Sequence, residues 1–100
     1  TEYFQFALNT SLAVLSWFER TFKLTYNLQK LDSVAVVQYG GAMENWGLCI
    51  YGPNAMFVDP SVDNTPGALR PKVAIIGHEL AHQWWGNDVT LQWWNHLWIQ

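Results

Sequence analysis

Near the C-terminal end of the chain, His78 and His82 stand four residues apart, with Glu79 directly after the first, in the run Ile76-Gly77-His78-Glu79-Leu80-Ala81-His82-Gln83-Trp84-Trp85. On an α-helix, residues i and i+4 lie on the same face, one turn apart. Two imidazoles held that way can reach one metal ion, and the neighbouring carboxylate can reach a water beside it. Zinc suits such a pair, since it takes imidazole nitrogens and keeps an open position in catalytic sites. The chemistry implied is zinc-assisted hydrolysis, with His78 and His82 as ligands and Glu79 as general base. A catalytic zinc takes three protein ligands, and local spacing does not single out the third. The residues after His82 read Gln-Trp-Trp-Gly-Asn, so no further His follows closely. Asp88 and His96 are the nearest candidates. Asp88, just past the helix end, reads better as a turn or hydrogen-bonding residue, and His96, on a Trp-rich turn, as a packed or supporting one.

The helix that must hold the pair is expected from about Arg70 to Trp85. Pro71 then falls in its first turn, where a missing N–H costs nothing, and Gly86-Asn87 supplies the stop. Val73, Ile76, Leu80 and Trp84 would form an apolar stripe against a sheet, leaving the His78/His82 face toward a cleft. Gly77 costs about 0.5–1 kcal/mol relative to Ala in a helix interior. A close backbone approach is the expected reason for it.

Upstream, Leu8, Leu12, Leu15, Phe18 and Phe22 recur at helical steps and predict a packing helix from about Gln5 to Phe22. Lys23 to Lys30 reads as a loop anchored by Tyr26 and Leu28. Leu31 to Val37 is β-branched and apolar, as a buried strand would be. Leu48 to Tyr51 reads as a second strand and Ala55 to Val58 as a short third one, with a turn at Gly52-Pro53-Asn54. Asp59 to Gly67 is a surface loop by composition. Asp88 to Trp94 turns the chain back, and His96 to Gln100 begins another helix. The fold class is α+β: a small sheet packed on helices, one of which carries H-E-x-x-H.

Between the first two strands lies Gln38-Tyr39-Gly40-Gly41-Ala42-Met43-Glu44-Asn45-Trp46-Gly47. Adjacent glycines permit unusual dihedrals or a close approach by another chain. Local physics alone makes this a turn or bulge with a solvated acid at Glu44.

Composition narrows the class further. The chain has 100 residues, half of them hydrophobic, with seven tryptophans and 13% charged. That apolar content exceeds what a compact unit of this size hides, so other segments are expected to cover part of it. The formal charge is −3 and the five Lys and Arg form no cluster, which argues against a nucleic-acid surface. Cys49 is the single cysteine, so no internal disulfide is available. No stretch is long and apolar enough for a membrane span, and no signal peptide opens the chain.

Gly41-Ala42-Met43-Glu44-Asn45-Trp46-Gly47, followed by His78-Glu79-Leu80-Ala81-His82-Gln83-Trp84 and then Trp93-Trp94-Asn95, resembles the zinc aminopeptidases of the aminopeptidase N (membrane alanyl aminopeptidase) type. The resemblance covers nearly the whole chain. It implies a thermolysin-like, gluzincin catalytic domain that removes N-terminal residues from peptides. It further implies that Glu44 binds the free α-ammonium of the substrate, with Gly41, Ala42, Met43 and Asn45 along the substrate backbone. The family's third zinc ligand, a Glu, lies nineteen residues after the second His; counted from His82, that is one position beyond Gln100. Residues 1–100 are therefore expected to be a partial catalytic domain. The third ligand, an oxyanion-stabilising tyrosine and the flanking N- and C-terminal domains would lie outside it, as would any membrane attachment. Family members occur both at the plasma membrane or outside the cell and in the cytoplasm. The sequence departs from the family where Lys23 to Gln29 lacks Pro and Gly, at His96 in place of an acid, and at Ile99-Gln100. A catalytically silent homologue that binds peptides or partners is the alternative. An endopeptidase has no use for an amine anchor, so Glu44 argues against that class.

Overall fold

The computed structural model describes residues 2–99, apart from the side chain of Glu2; Gln100, which ends the last expected helix, lies outside the described residues. The chain runs as α1 (Glu2–Phe22), β1 (Asp32–Ala35), β2 (Ala42–Met43), β3 (Leu48–Tyr51), α2 (Pro53–Met56), α3 (Pro66–Ala81) and a 3₁₀ helix at Trp94–Ile99. The strands form one sheet ordered β1-β3-β2, with β1 parallel and β2 antiparallel to β3. The architecture is α+β, as the sequence implies.

The core is small and forms where β3 meets three helices. Cys49 and Tyr51 of β3, Met56 of α2, Ile76 and Leu80 of α3 and Ala7 of α1 are all buried together. Val14, Leu15 and Phe18 of α1 pack against that cluster. The buried face of α1 is thus rotated from the expected stripe: Leu8 and Leu12 are more than half exposed. They line an open groove of about 740 Å3 that runs between α1 and residues 28–34. Phe18, Phe22 and Tyr26 gather around Trp84, with ring centroids 5.7–5.9 Å away, and fix the end of α1 to the end of α3. Tyr26 is held there by its backbone N–H, which donates to Glu19 Oε1 at 2.9 Å.

Several elements differ from expectation. α1 starts at Glu2 rather than about Gln5, α3 ends four residues before the expected Trp85, and the last helix is a 3₁₀ helix that starts at Trp94 rather than His96. β1 stops at Ala35 rather than Val37: Val36 N–H still reaches Tyr51 C=O, but Gln38, at φ +66°, turns the chain away. Residues 55–58 do not form a strand. Pro53 starts the short helix α2, and Lys72 Nζ donates to the carbonyls of Asn54 and Phe57 at 2.9 and 2.8 Å, satisfying groups a strand would have paired. α3 begins at Pro66, four residues before the expected start. Thr65 caps it, its side chain accepting from Ala68 N–H, and Pro66 takes the first-turn place assigned to Pro71, which sits inside the helix. The helix ends at Ala81, with His82 as C-cap, and turns carry the chain on to Gly86 at φ +117°.

Ile76 and Leu80 of α3, and Trp84 just past its end, are buried as the stripe requires, but Val73 is 40% exposed. The first turns of α3 lie against α2, through Lys72, rather than over the sheet. Gly77 has no neighbour within 4 Å of where a Cβ would sit, so the expected close approach is absent. Apolar surface does remain open, with Val37, Val62, Trp94 and Trp98 all 72–81% exposed. No described helix is long and apolar enough to cross a membrane.

Candidate metal centre

The two histidines meet at the C-terminal end of α3. His82 keeps a helical backbone (φ −61°, ψ −21°), so it stays on the face of His78 although the helix ends one residue earlier. The two Nε2 atoms are 3.1 Å apart, with the rings nearly perpendicular. A tetrahedral zinc about 2.0–2.1 Å from each nitrogen would separate them by about 3.3–3.4 Å. The pair therefore fits such an ion with a shift of a few tenths of an ångström.

A backbone group orients the second ring. His82 Nδ1–H donates to the Trp85 carbonyl at 2.9 Å, because a carbonyl can only accept. That bond leaves the lone pair on Nε2, the atom aimed at His78. The carbonyl reaches this position because the chain leaves α3 in a tight turn, with Trp85 N–H bonded to Ala81 C=O and Gly86 at positive φ. Only Gly86 hinted at this in the sequence.

Glu79 is 4% exposed, and its Oε2 is buried without a hydrogen-bond partner. Burial holds its carboxyl above the ordinary carboxylate range; the His78 imidazole acts against that, and the negative charge of Glu44 adds to it. A buried carboxylate oxygen with nothing to bond is costly, so the position calls for a donor such as a water or a substrate N–H.

Glu44 lies in the turn between β2 and β3, half-buried, close enough to Glu79 to perturb it. Gly41, at φ +100°, admits the chain into β2, and its carbonyl accepts from Gly52 N–H at 2.7 Å. Ala42 and Met43 pair with Tyr51 and Ile50 on one side. Among the described residues no strand pairs with their other edge, which is where an extended peptide could add as a strand. Asn45 is exposed, and its carbonyl closes the turn by accepting from Leu48 N–H. The segment is thus not a loose solvated bulge but a short strand and turn packed against the end of α3.

Two further side chains tie this turn to the end of the histidine helix; sequence reasoning read Asn87 only as part of the helix stop and gave Gln83 no role. Gln83, 1% exposed, accepts from Gly47 N–H and Tyr26 O–H and donates to the carbonyl of Glu44. Asn87 Nδ2 donates to the same carbonyl at 2.8 Å.

Neither candidate for a third ligand joins the pair. Asp88 accepts from Asn27 Nδ2 at 2.7 Å, a hydrogen-bonding role as expected. His96 is exposed on the 3₁₀ helix rather than packed. Among the described residues no three His, Cys, Asp or Glu side chains are grouped to hold a metal ion.

With this geometry in view, the comparison with known proteins is direct. The model of the peptidase family M1 domain matches residues 6–100. The chain belongs to peptidase family M1. Among its M1 relatives are aminopeptidase N of Bos taurus, 45% identical over 95 residues, glutamyl aminopeptidase of Bos taurus, 43% over 97, and endoplasmic reticulum aminopeptidase 2 of Homo sapiens, 43% over 96. Each alignment covers 94–95% of this chain, which spans about a tenth of the length of the relatives it matches. The M1 match agrees with a thermolysin-like arrangement: a small sheet, a packed helix pair and one helix carrying H-E-x-x-H.

Proposed function

We propose that the protein containing this chain is a zinc aminopeptidase acting on peptides with a free N-terminal amine. The observation that carries this reading is the convergence of His78 and His82 at 3.1 Å beside Glu79, whose buried Oε2 has no hydrogen-bond partner, with the Glu44 turn packed over the same helix end. His78 and His82 would hold the zinc through Nε2. When bound, zinc supplies a Lewis acid that polarises the scissile carbonyl and acidifies a water. Glu79 takes the proton of the attacking water and passes it to the leaving amine.

Glu44 binds the substrate ammonium by a charge-assisted contact, and a blocked terminus would leave its carboxylate unpaired. Gly41, Ala42 and Met43 present the other edge of β2 to the substrate backbone, and Asn45 shapes the turn that holds Glu44. On this reading residues 1–100 are part of the catalytic domain, and the third zinc ligand is supplied from outside the described residues. The chain alone then binds zinc weakly and hydrolyses little.

The test uses the full-length protein. Chelation should abolish hydrolysis of a free-amine peptide, added zinc should restore it, and His78→Ala should lose both zinc and activity. Hydrolysis that persists after complete removal of zinc would overturn the reading.

A further inference from the structure

The Glu44 turn has few means of its own to stay in place. The β2–β3 ladder ends at Met43 and Ile50, and between them only Leu48 N–H to Asn45 C=O closes the turn. Its last residue is tied to β1, Asp32 N–H donating to Gly47 C=O at 2.9 Å, and its first residue is held by side chains from the turns that follow α3. Gln83 directly follows His82, is 1% exposed, and has both ends of its amide satisfied. Its Oε1 accepts from Gly47 N–H at 3.0 Å and from Tyr26 O–H at 3.2 Å. Its Nε2 donates to Glu44 C=O at 3.0 Å and lies 3.4 Å from Glu79 C=O. Gln83 therefore grips the turn at its first residue and its last, and bonds the backbone of the general base with the same amide. Asn87 provides the second donor to Glu44 C=O, and its own N–H is bonded to His82 C=O. Both lone pairs of the Glu44 carbonyl are thus claimed by side chains from the turns that follow α3.

We propose that Gln83, assisted by Asn87, is a positioning residue that fixes the Glu44 carboxylate relative to the His78–Glu79–His82 group, and so sets the distance between amine anchor and scissile bond. This rests on the aminopeptidase reading above. An amide suits the task because it offers a donor and an acceptor at opposite corners, each with a defined partner. A carboxylate would lack the donor, and an apolar side chain would leave Gly47 N–H unbonded in a partly buried site. Displacing an anchor by about 1 Å costs about 10²-fold in rate.

The test compares Gln83→Leu, Asn87→Ala and Glu44→Gln in the full-length protein, singly and as the pairs Gln83→Leu/Glu44→Gln and Asn87→Ala/Glu44→Gln. Expected for Gln83→Leu is a loss of about 10²-fold in kcat/KM for a free-amine peptide, carried mainly by KM, with zinc content unchanged. Asn87→Ala, at a partly exposed position that endangers folding less, should lose about 3–10-fold in the same way. In the Glu44→Gln background either substitution should have little further effect, because the anchor it positions is already gone. Full additivity in both pairs, or a loss confined to kcat and zinc content, would overturn the proposal and make Gln83 a purely structural residue. If Gln83→Leu does not fold, the Asn87→Ala cycle decides alone. Failure of the aminopeptidase reading would look different: wild-type protein and Glu44→Gln would then handle the free-amine peptide alike.

Discussion

Gly52 is the position where a single methyl group should do most damage to the site without touching it. Its φ is −66°, so no dihedral demands glycine. The constraint is steric: a Cβ there would lie 2.3 Å from the Tyr39 carbonyl oxygen and 3.4 Å from that of Gly41. Carbon–oxygen contacts settle at about 3.3–3.6 Å, so the strand segments must part by about 1 Å. Overpacking of that kind costs about 1–3 kcal/mol. The separation also stretches the 2.7 Å bond from Gly52 N–H to Gly41 C=O, worth about 0.5–1.5 kcal/mol. Together Gly52→Ala should cost about 1.5–4.5 kcal/mol. The displacement falls on Tyr39 and, through the stretched bond, on Gly41, three residues before Glu44, so kcat/KM for a free-amine peptide should drop by about 10²-fold in the full-length protein. Gly40→Ala is the control, since a Cβ there meets nothing within 4 Å. It should change stability by less than about 0.5 kcal/mol. Steady-state kinetics and thermal melts of the two variants decide the matter. Equal behaviour of Gly52→Ala and wild type, or equal damage from Gly40→Ala, would refute the steric reasoning.

Three other outcomes are expected. Gly77→Ala should raise the melting temperature, by about 0.5–1 kcal/mol of helix propensity, because the added methyl meets open space; a lower melting temperature would show a contact not visible here. Glu79→Gln should reduce hydrolysis by about 10²–10⁴-fold without destabilising the zinc-free protein. The sign follows from burial: the folded state holds the Glu79 proton more tightly than the unfolded chain, so the ionised group weighs against folding above its folded pKa and the penalty fades as pH falls through it. Melts of the zinc-free protein at pH 5 and pH 7 should therefore differ less in the Gln variant than in wild type. Cys49 is fully buried and its thiol is pushed up to about 11, first by that burial. At pH 8 it would be about 0.1% thiolate, against about 25% for an ordinary cysteine, so alkylation in the folded protein should be at least 10²-fold slower than for a free thiol.

The histidine pair was legible because its geometry is local. Spacing alone puts His78 and His82 on one face, and a helix is enough to deliver them. The boundaries of that helix were less legible, because Pro66 and Pro71 both satisfy the first-turn rule and only the Thr65 cap separates them. Residues 55–58 misled for a different reason: Phe57 and Val58 favour strands, but Lys72 reaches from α3 to take the carbonyls of Asn54 and Phe57, a tertiary contact no window contains. β2 is two residues long, too short to show a period of two. The face of α1 failed similarly, since Ala7 is buried in the core cluster while the larger Leu8 is left in an open groove. Gln83 illustrates the limit most clearly: its neighbours in sequence are ligand and aromatic, while its partners are Gly47, Glu44 and Tyr26.

The claim that most needs a direct test is that Glu44 makes this zinc site an aminopeptidase site. The measurement is the ratio of kcat/KM for one peptide and its N-acetylated twin, made on the zinc-loaded full-length protein. A charge-assisted contact worth about 1.5–3 kcal/mol predicts cleavage of the free-amine peptide favoured by about 10- to 10²-fold, and a ratio near one in the Glu44→Gln variant. Equal cleavage of both peptides by the wild-type protein would contradict it.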